Sequence, residues 1–133
     1  AYSSANRSAA VRIPYSNSKN SARLEYRCPD PTCNLYMAFA AILLAGLDGI
    51  KNKLDPGKPE ERDIYHLPIG TIPQLPGSLL ESIAALKTDS DFLLKDGVFT
   101  TELLDAYVLA KKTDHQNEII RPTVNEMITS FDI

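Results

Sequence analysis

A chain of 133 residues fits one domain with a real core, and 44% hydrophobic with 23% charged residues is ordinary for a globular protein. A net charge of −3 excludes a general nucleic-acid binder, so any cluster of arginines is a local feature. The longest apolar run, residues 35–45, is too short to cross a bilayer and no signal-peptide pattern opens the chain, so no membrane partner is expected and the cytoplasm is the expected location. Cys28 and Cys33 have no second pair and no histidine at metal spacing, which favours two reduced thiols over a disulfide or a metal site. The chain begins at Ala1 without an initiator methionine and writes strand almost at once. A strand pair is marginal alone, so a piece of a longer protein is expected.

In chain order, residues 7–14 alternate, with Ala9, Val11 and Ile13 on one face and Ser8, Ala10 and Arg12 on the other. The polar stretch 15–21 reads as the turn to a second, antiparallel strand over 22–28. There Ala22, Leu24, Tyr26 and Cys28 point one way and Arg23, Glu25 and Arg27 the other. Two prolines in "PDPTCN" stop it. Asn34 is placed to cap a helix over about 35–54, whose first turns are so apolar that they must be covered on most sides. A proline-rich loop follows. Ser78 and Glu81 then form a capping box for a short helix, residues 90–99 give a second one ended by Gly97, and Thr100 or Thr101 caps a third to about Lys112. Residues 113–122 read as loop and 124–133 as a last amphipathic segment, with Met127, Ile128, Phe131 and Ile133 too apolar for a free tail. The expected class is α+β: a two-stranded antiparallel unit over 1–30, then four to five helices over 31–133.

The charged strand face admits two readings. Arg23, Glu25 and Arg27 can be a solvated ion-pair ladder, worth little to stability. Alternatively, with apolar residues on the opposite face, Arg7, Arg12, Arg23 and Arg27 make an anion platform, because guanidinium groups grip phosphate and carboxylate in bidentate fashion. A single glutamate among them would let a divalent cation share the centre. Arginines with one carboxylate therefore point to nucleotide phosphates with a metal.

The segments "NRSAAVRIP", "RLEYRCPDP", "AFAAILLAGLDGIKNKLDPG", "LPGSLLES" and "FLLKDGVFT" resemble, in order, the carboxy-terminal part of the catalytic domain of type I glutamine synthetases. The resemblance implies ATP-dependent ligation of ammonia to glutamate through a γ-glutamyl phosphate, two Mg²⁺ or Mn²⁺ ions per site, and a homo-oligomeric double ring. By position, Glu25 resembles the family glutamate that holds the metal beside the γ-phosphate. Arg7 and Arg12 resemble the arginines that meet ATP phosphates and steady the transferring group. Arg23 matches an ATP-site arginine, and Arg27 the arginine that grips the substrate glutamate. Tyr65 stands where some bacterial members are adenylylated, although the acidic flank is absent and the loop shorter. "NLY" replaces the usual "NPY" at 34–36, and the tail lacks "HP-x-E-F". His66 and His115 are isolated and receive no role. The remaining metal ligands, the ammonia-site aspartate and the ATP loop lie upstream in the family, so this chain alone is expected to be inactive. The alternative is a stand-alone, non-catalytic binding or regulatory module on the same scaffold.

Overall fold

The computed structural model describes residues 1–4 and 6–131, which divide into two compact units, Ala1–Leu75 and Pro76–Ile133. In the first unit, strands β1 (Tyr2–Ser4), β2 (Val11–Ile13) and β3 (Glu25–Tyr26) form one sheet in the order β1-β2-β3. The expected antiparallel pair is β2 with β3, in the register Val11 opposite Tyr26 and Arg12 opposite Glu25. Both strands are shorter than their alternation suggested. Residues 7–10 turn instead, because Asn6 Oδ1 accepts the Ser8 N–H at 3.0 Å and offers the backbone a local bond in place of a ladder. Strand β1, parallel to β2, was not foreseen: three residues carry no readable period.

The outer side of β1 is closed by residues 57–64, which run along it as a strap. The Glu60 N–H donates to Tyr2 O at 2.8 Å, Tyr2 Oη donates to Gly57 O at 3.0 Å, and Ser3 Oγ donates to Glu61 Oε2 at 3.2 Å. Ser3 is fully buried beneath it. Within the strap Arg62 grips Glu60 with two bonds, Nη2 to Oε2 at 2.6 Å and Nε to Oε1 at 2.8 Å. Those bonds pull the Glu60 carboxyl down to about 2.

Helix α1 (Leu35–Lys51) begins as the sequence suggests, Asn34 Oδ1 accepting the N–H groups of Tyr36 and Met37 at 3.1 and 3.2 Å. It stops before Leu54. Lys53 takes φ 53°, the Leu54 N–H returns to Gly49 O at 2.9 Å and the Lys53 N–H to Ile50 O at 3.1 Å, a Schellman closure built on lysine rather than glycine. The expectation that α1 is covered on most sides is not met within this chain: Leu44 is buried, but Phe39, Leu43 and Ile50 are 65%, 64% and 75% exposed. Leu24 and Tyr26, placed on the apolar sheet face, are likewise exposed.

The second unit is helical. Ser78 Oγ accepts the Glu81 N–H at the start of α2 (Leu79–Thr88), while Glu81 Oε2 takes the Gly77 N–H at 2.8 Å, one residue earlier than the usual box. Helix α3 (Asp91–Leu94) is only one turn, and Gly97 at φ 66° reverses the chain after it. Thr100 caps α4 (Thr101–Ile119), which overruns its expected end near Lys112. Lys111 pairs with Asp114 at 2.8 Å, Thr113 Oγ1 donates to Leu109 O, and the helix continues until the approach of Pro122. Ile83, Leu93, Phe99, Leu104 and Val108 form the core of this unit, with α2 packed on α4. Thr123 and Glu126 cap each other reciprocally at the start of α5 (Val124–Phe131), a box the sequence reading passed over. Val124, Met127, Ile128 and Phe131 are all exposed, and Ile133 lies outside the described residues. Among the described residues no helix is long and apolar enough to cross a membrane.

Candidate active-site wall

The four arginines separate into two sets, both in the first unit. Cross-strand register places Arg12 opposite Glu25, and this fixes the first set. Arg12 Nε lies 3.1 Å from Glu25 Oε2, Arg12 Nη2 donates to Glu25 Oε1 at 3.4 Å, and Arg23 Nη2 reaches the same oxygen at 3.4 Å. Glu25 thus serves two guanidinium groups, and this part of the face has the ladder character of the simpler reading. It is not wholly solvated: the Arg12 side chain is 18% exposed against 58% for Arg23. The Arg12 Nε–H is buried and, not being aligned with the carboxylate, has no acceptor among the described residues. A buried donor without a well-aligned acceptor costs about 1–3 kcal/mol, which the nearby Glu25 carboxylate offsets through its charge.

The second set is Arg7 and Arg27. Both line a hollow of about 330 Å³ whose wall also includes Ser8, Cys28, Tyr65 and Gln74. The Arg27 N–H donates to Ala10 O at 2.8 Å, continuing the register of β2 with β3 one residue beyond the Val11–Tyr26 pair, so Arg27 lies at the end of the ladder that adjoins the Arg7 turn. Arg7 itself projects from the turn that Asn6 closes. Tyr65, in the short 3₁₀ turn Ile64–His66, contributes one side of the hollow and is otherwise exposed. Cys28 and Cys33 are free thiols, as expected. Burial, then the neighbouring Cys28 thiol, pushes the Tyr26 hydroxyl above its ordinary range.

A second hollow, of about 640 Å³, brings Arg23 together with Ile13, Tyr15 and Leu24. By sequence Tyr15 falls in the turn and Leu24 on the apolar face of the second strand. Neither carried a signal, since their meeting depends on how the segment between β2 and β3 closes around Lys19–Ser21.

As for a metal, Glu25 is the one carboxylate in the arginine group, and among the described residues no three His, Cys, Asp or Glu side chains converge to hold an ion. Two guanidinium partners already occupy it. This donor set does not fit a divalent cation by itself.

A family model described as glutamine synthetase, catalytic domain, matches residues 1–129. The chain belongs to this family. The glutamine synthetase of Aquifex aeolicus is 48% identical over 137 aligned residues, covering 100% of this chain and 29% of that protein. That of Frankia alni is 46% identical, covering 99% of this chain and 29% of its own length. A solved structure of a GmaS/ADP complex superimposes with a TM-score of 0.79 at 34% identity, over 99% of this chain and 29% of that one. A ligand-free GmaS structure gives 0.75 at 35% identity, over 96% of this chain and 28% of that one. The chain therefore spans under a third of the length of the glutamine synthetases it matches. Its α+β class agrees with these neighbours.

Proposed function

We propose that this chain is one wall of the active site of a glutamine synthetase, the ATP-dependent ligation of ammonia to glutamate. The observation that carries the reading is the hollow shared by Arg7 and Arg27 beside the Arg12–Glu25–Arg23 cluster. Phosphoryl transfer is mostly positioning and electrostatic stabilisation of spread negative charge, and fixed guanidinium groups supply both. In this reading Arg7 and Arg12 hold ATP phosphates and steady the transferring phosphoryl group. Arg23 serves the nucleotide as well, and the apolar Leu24 and Tyr15 beside it suit the base and sugar. Arg27 takes a carboxylate of the substrate glutamate. Glu25 contributes one ligand toward Mg²⁺ or Mn²⁺, the remaining ligands coming from outside these 133 residues, which is why the chain alone would not catalyse.

The same reading includes a cytoplasmic homo-oligomer, with the exposed apolar face of α5 in contact with another subunit. Adenylylation at Tyr65 would place a bulky anion at the mouth of the hollow.

The test is a pair of variants in the full-length ligase that carries this chain. Arg27→Ala should raise KM for glutamate more than for ATP, and Arg7→Ala should show the opposite emphasis. The same pattern in both would contradict the division of roles.

A further inference from the structure

Two side chains flank Arg7, and both are tied to the strap. Asn6 Nδ2 donates to the Arg62 carbonyl at 2.9 Å, and Ser8 Oγ accepts the Ile64 N–H at 3.1 Å. The two are also joined to each other, Ser8 Oγ and the Ser8 N–H both donating to Asn6 Oδ1 at 2.8 and 3.0 Å. Asn6 and Ser8 thus form a staple, with Arg7 at its crown and residues 62–64 at its feet. Tyr65 follows directly and lines the same hollow as Arg7 and Arg27. Arg7 itself makes no hydrogen bond or ion pair among the described residues that would fix its direction, so the staple decides where its turn sits.

We propose that Asn6 and Ser8 are positioning residues that couple the 62–65 segment to Arg7, so that this segment sets the placement of the Arg7 guanidinium in the anion-binding hollow. This rests on the proposed role of the hollow. Anything that displaces the strap, including a group added at Tyr65, then reaches Arg7 through two hydrogen bonds rather than through bulk alone. Each such bond contributes modestly, so the effect is a misplacement and not an unfolding.

The experiment uses the full-length ligase with Ser8→Ala, Ser8→Thr and Arg7→Ala. Ser8→Ala removes the acceptor for the Ile64 N–H. Expected are faster deuterium uptake in a peptide spanning residues 60–67, a roughly tenfold lower kcat with raised KM for ATP, little change in KM for glutamate, and a melting temperature close to that of the parent. Ser8→Thr keeps the hydroxyl and should restore both exchange and turnover. Faster exchange with unaltered kinetics would overturn the coupling, as would equal damage to both substrates' KM. If Ser8→Ala does not fold, Asn6→Asp makes the same test: it keeps the acceptor for both Ser8 bonds and replaces the donor to Arg62 by a charged oxygen that repels its carbonyl. Because that charge also lies beside Arg7, the exchange of residues 60–67 must change together with the kinetics. Parent-like exchange and kinetics in that variant would equally overturn the coupling. Arg7→Ala separates the two levels: parent-like turnover there refutes the reading of the hollow and the staple's role with it, whereas a crippled Arg7→Ala beside a parent-like Ser8→Ala refutes the staple alone.

Discussion

Among the described residues, the unit Pro76–Ile133 buries five large apolar side chains, whereas Ala1–Leu75 buries only Leu44 beside the smaller Ala9 and Pro14. The first unit relies instead on polar bonds between residues far apart in sequence: Tyr2 with Gly57, Ser3 with Glu61, Asn6 with Arg62, Ser8 with Ile64. It also leaves most of α1 and the Leu24 side of the sheet exposed. The helical unit carries a core of its own and caps its helices locally. The unit bearing the arginines is organised by hydrogen bonds, and its apolar faces are exposed. In the proposed reading, that contrast suits a wall that holds charged side chains in place.

Breaking the helical unit should take one cavity. Leu104→Ala should cost about 2–5 kcal/mol, because Leu104 is buried in the α2–α4 contact and the site cannot fully collapse. Urea denaturation followed through α2 and α4 would read it. A loss below about 1 kcal/mol would show that apolar packing is not what holds this unit.

A smaller effect is expected at Gly97. Its φ of 66° is strained for any residue with a Cβ, even though no atom lies within 4 Å of where one would sit. Gly97→Ala should therefore cost about 1 kcal/mol and Gly97→Asn less, since asparagine tolerates the left-handed region. Equal stability of all three proteins by denaturant midpoint would argue that the turn rearranges.

The smallest effect sharpens the polar side of the comparison. The Glu60 carboxyl sits at about 2 rather than 4.5, chiefly because Arg62 donates to its carboxylate. A depressed folded value means that the stabilisation is fully present above pH 4.5 and is lost as pH falls toward 2. A carbon-13 titration of Glu60 should show its midpoint near that low value. A midpoint at the ordinary carboxylate position would mean that the Arg62 grip is not maintained in solution.

What could be read from the sequence follows the same divide. Caps and breakers act within three or four residues, so Asn34, Ser78 with Glu81 and Gly97 are legible in the sequence, as is the pair Thr100 and Thr101, of which Thr100 is the cap. The pairing of β2 with β3 was legible through alternation, as was the charged face. The strap and β1 were not, because their bonds join residues more than fifty apart and their side chains follow no period. The overrun of α4 was missed because a polar stretch, 113–119, looked like loop, although Lys111 with Asp114 was a visible helical pair. The arginine residues themselves were found, but not their division. Alternation puts Arg27 on the face of Arg23 and Glu25, which the ladder bond from the Arg27 N–H to Ala10 O keeps; that Arg7 lines a hollow with Arg27 depends on the turn closed by Asn6, which has no period to read.

The most direct test of the active-site reading is turnover of the full-length ligase carrying Glu25→Ala. Glu25 is the shared anchor of Arg12 and Arg23 and the one carboxylate among the four arginines. Its removal frees two guanidinium groups and takes away the negative charge that a cation at the phosphates would use. The account predicts ATP-dependent glutamine formation reduced by about 10²–10³-fold in a protein that still folds. Turnover close to that of the parent enzyme would contradict it.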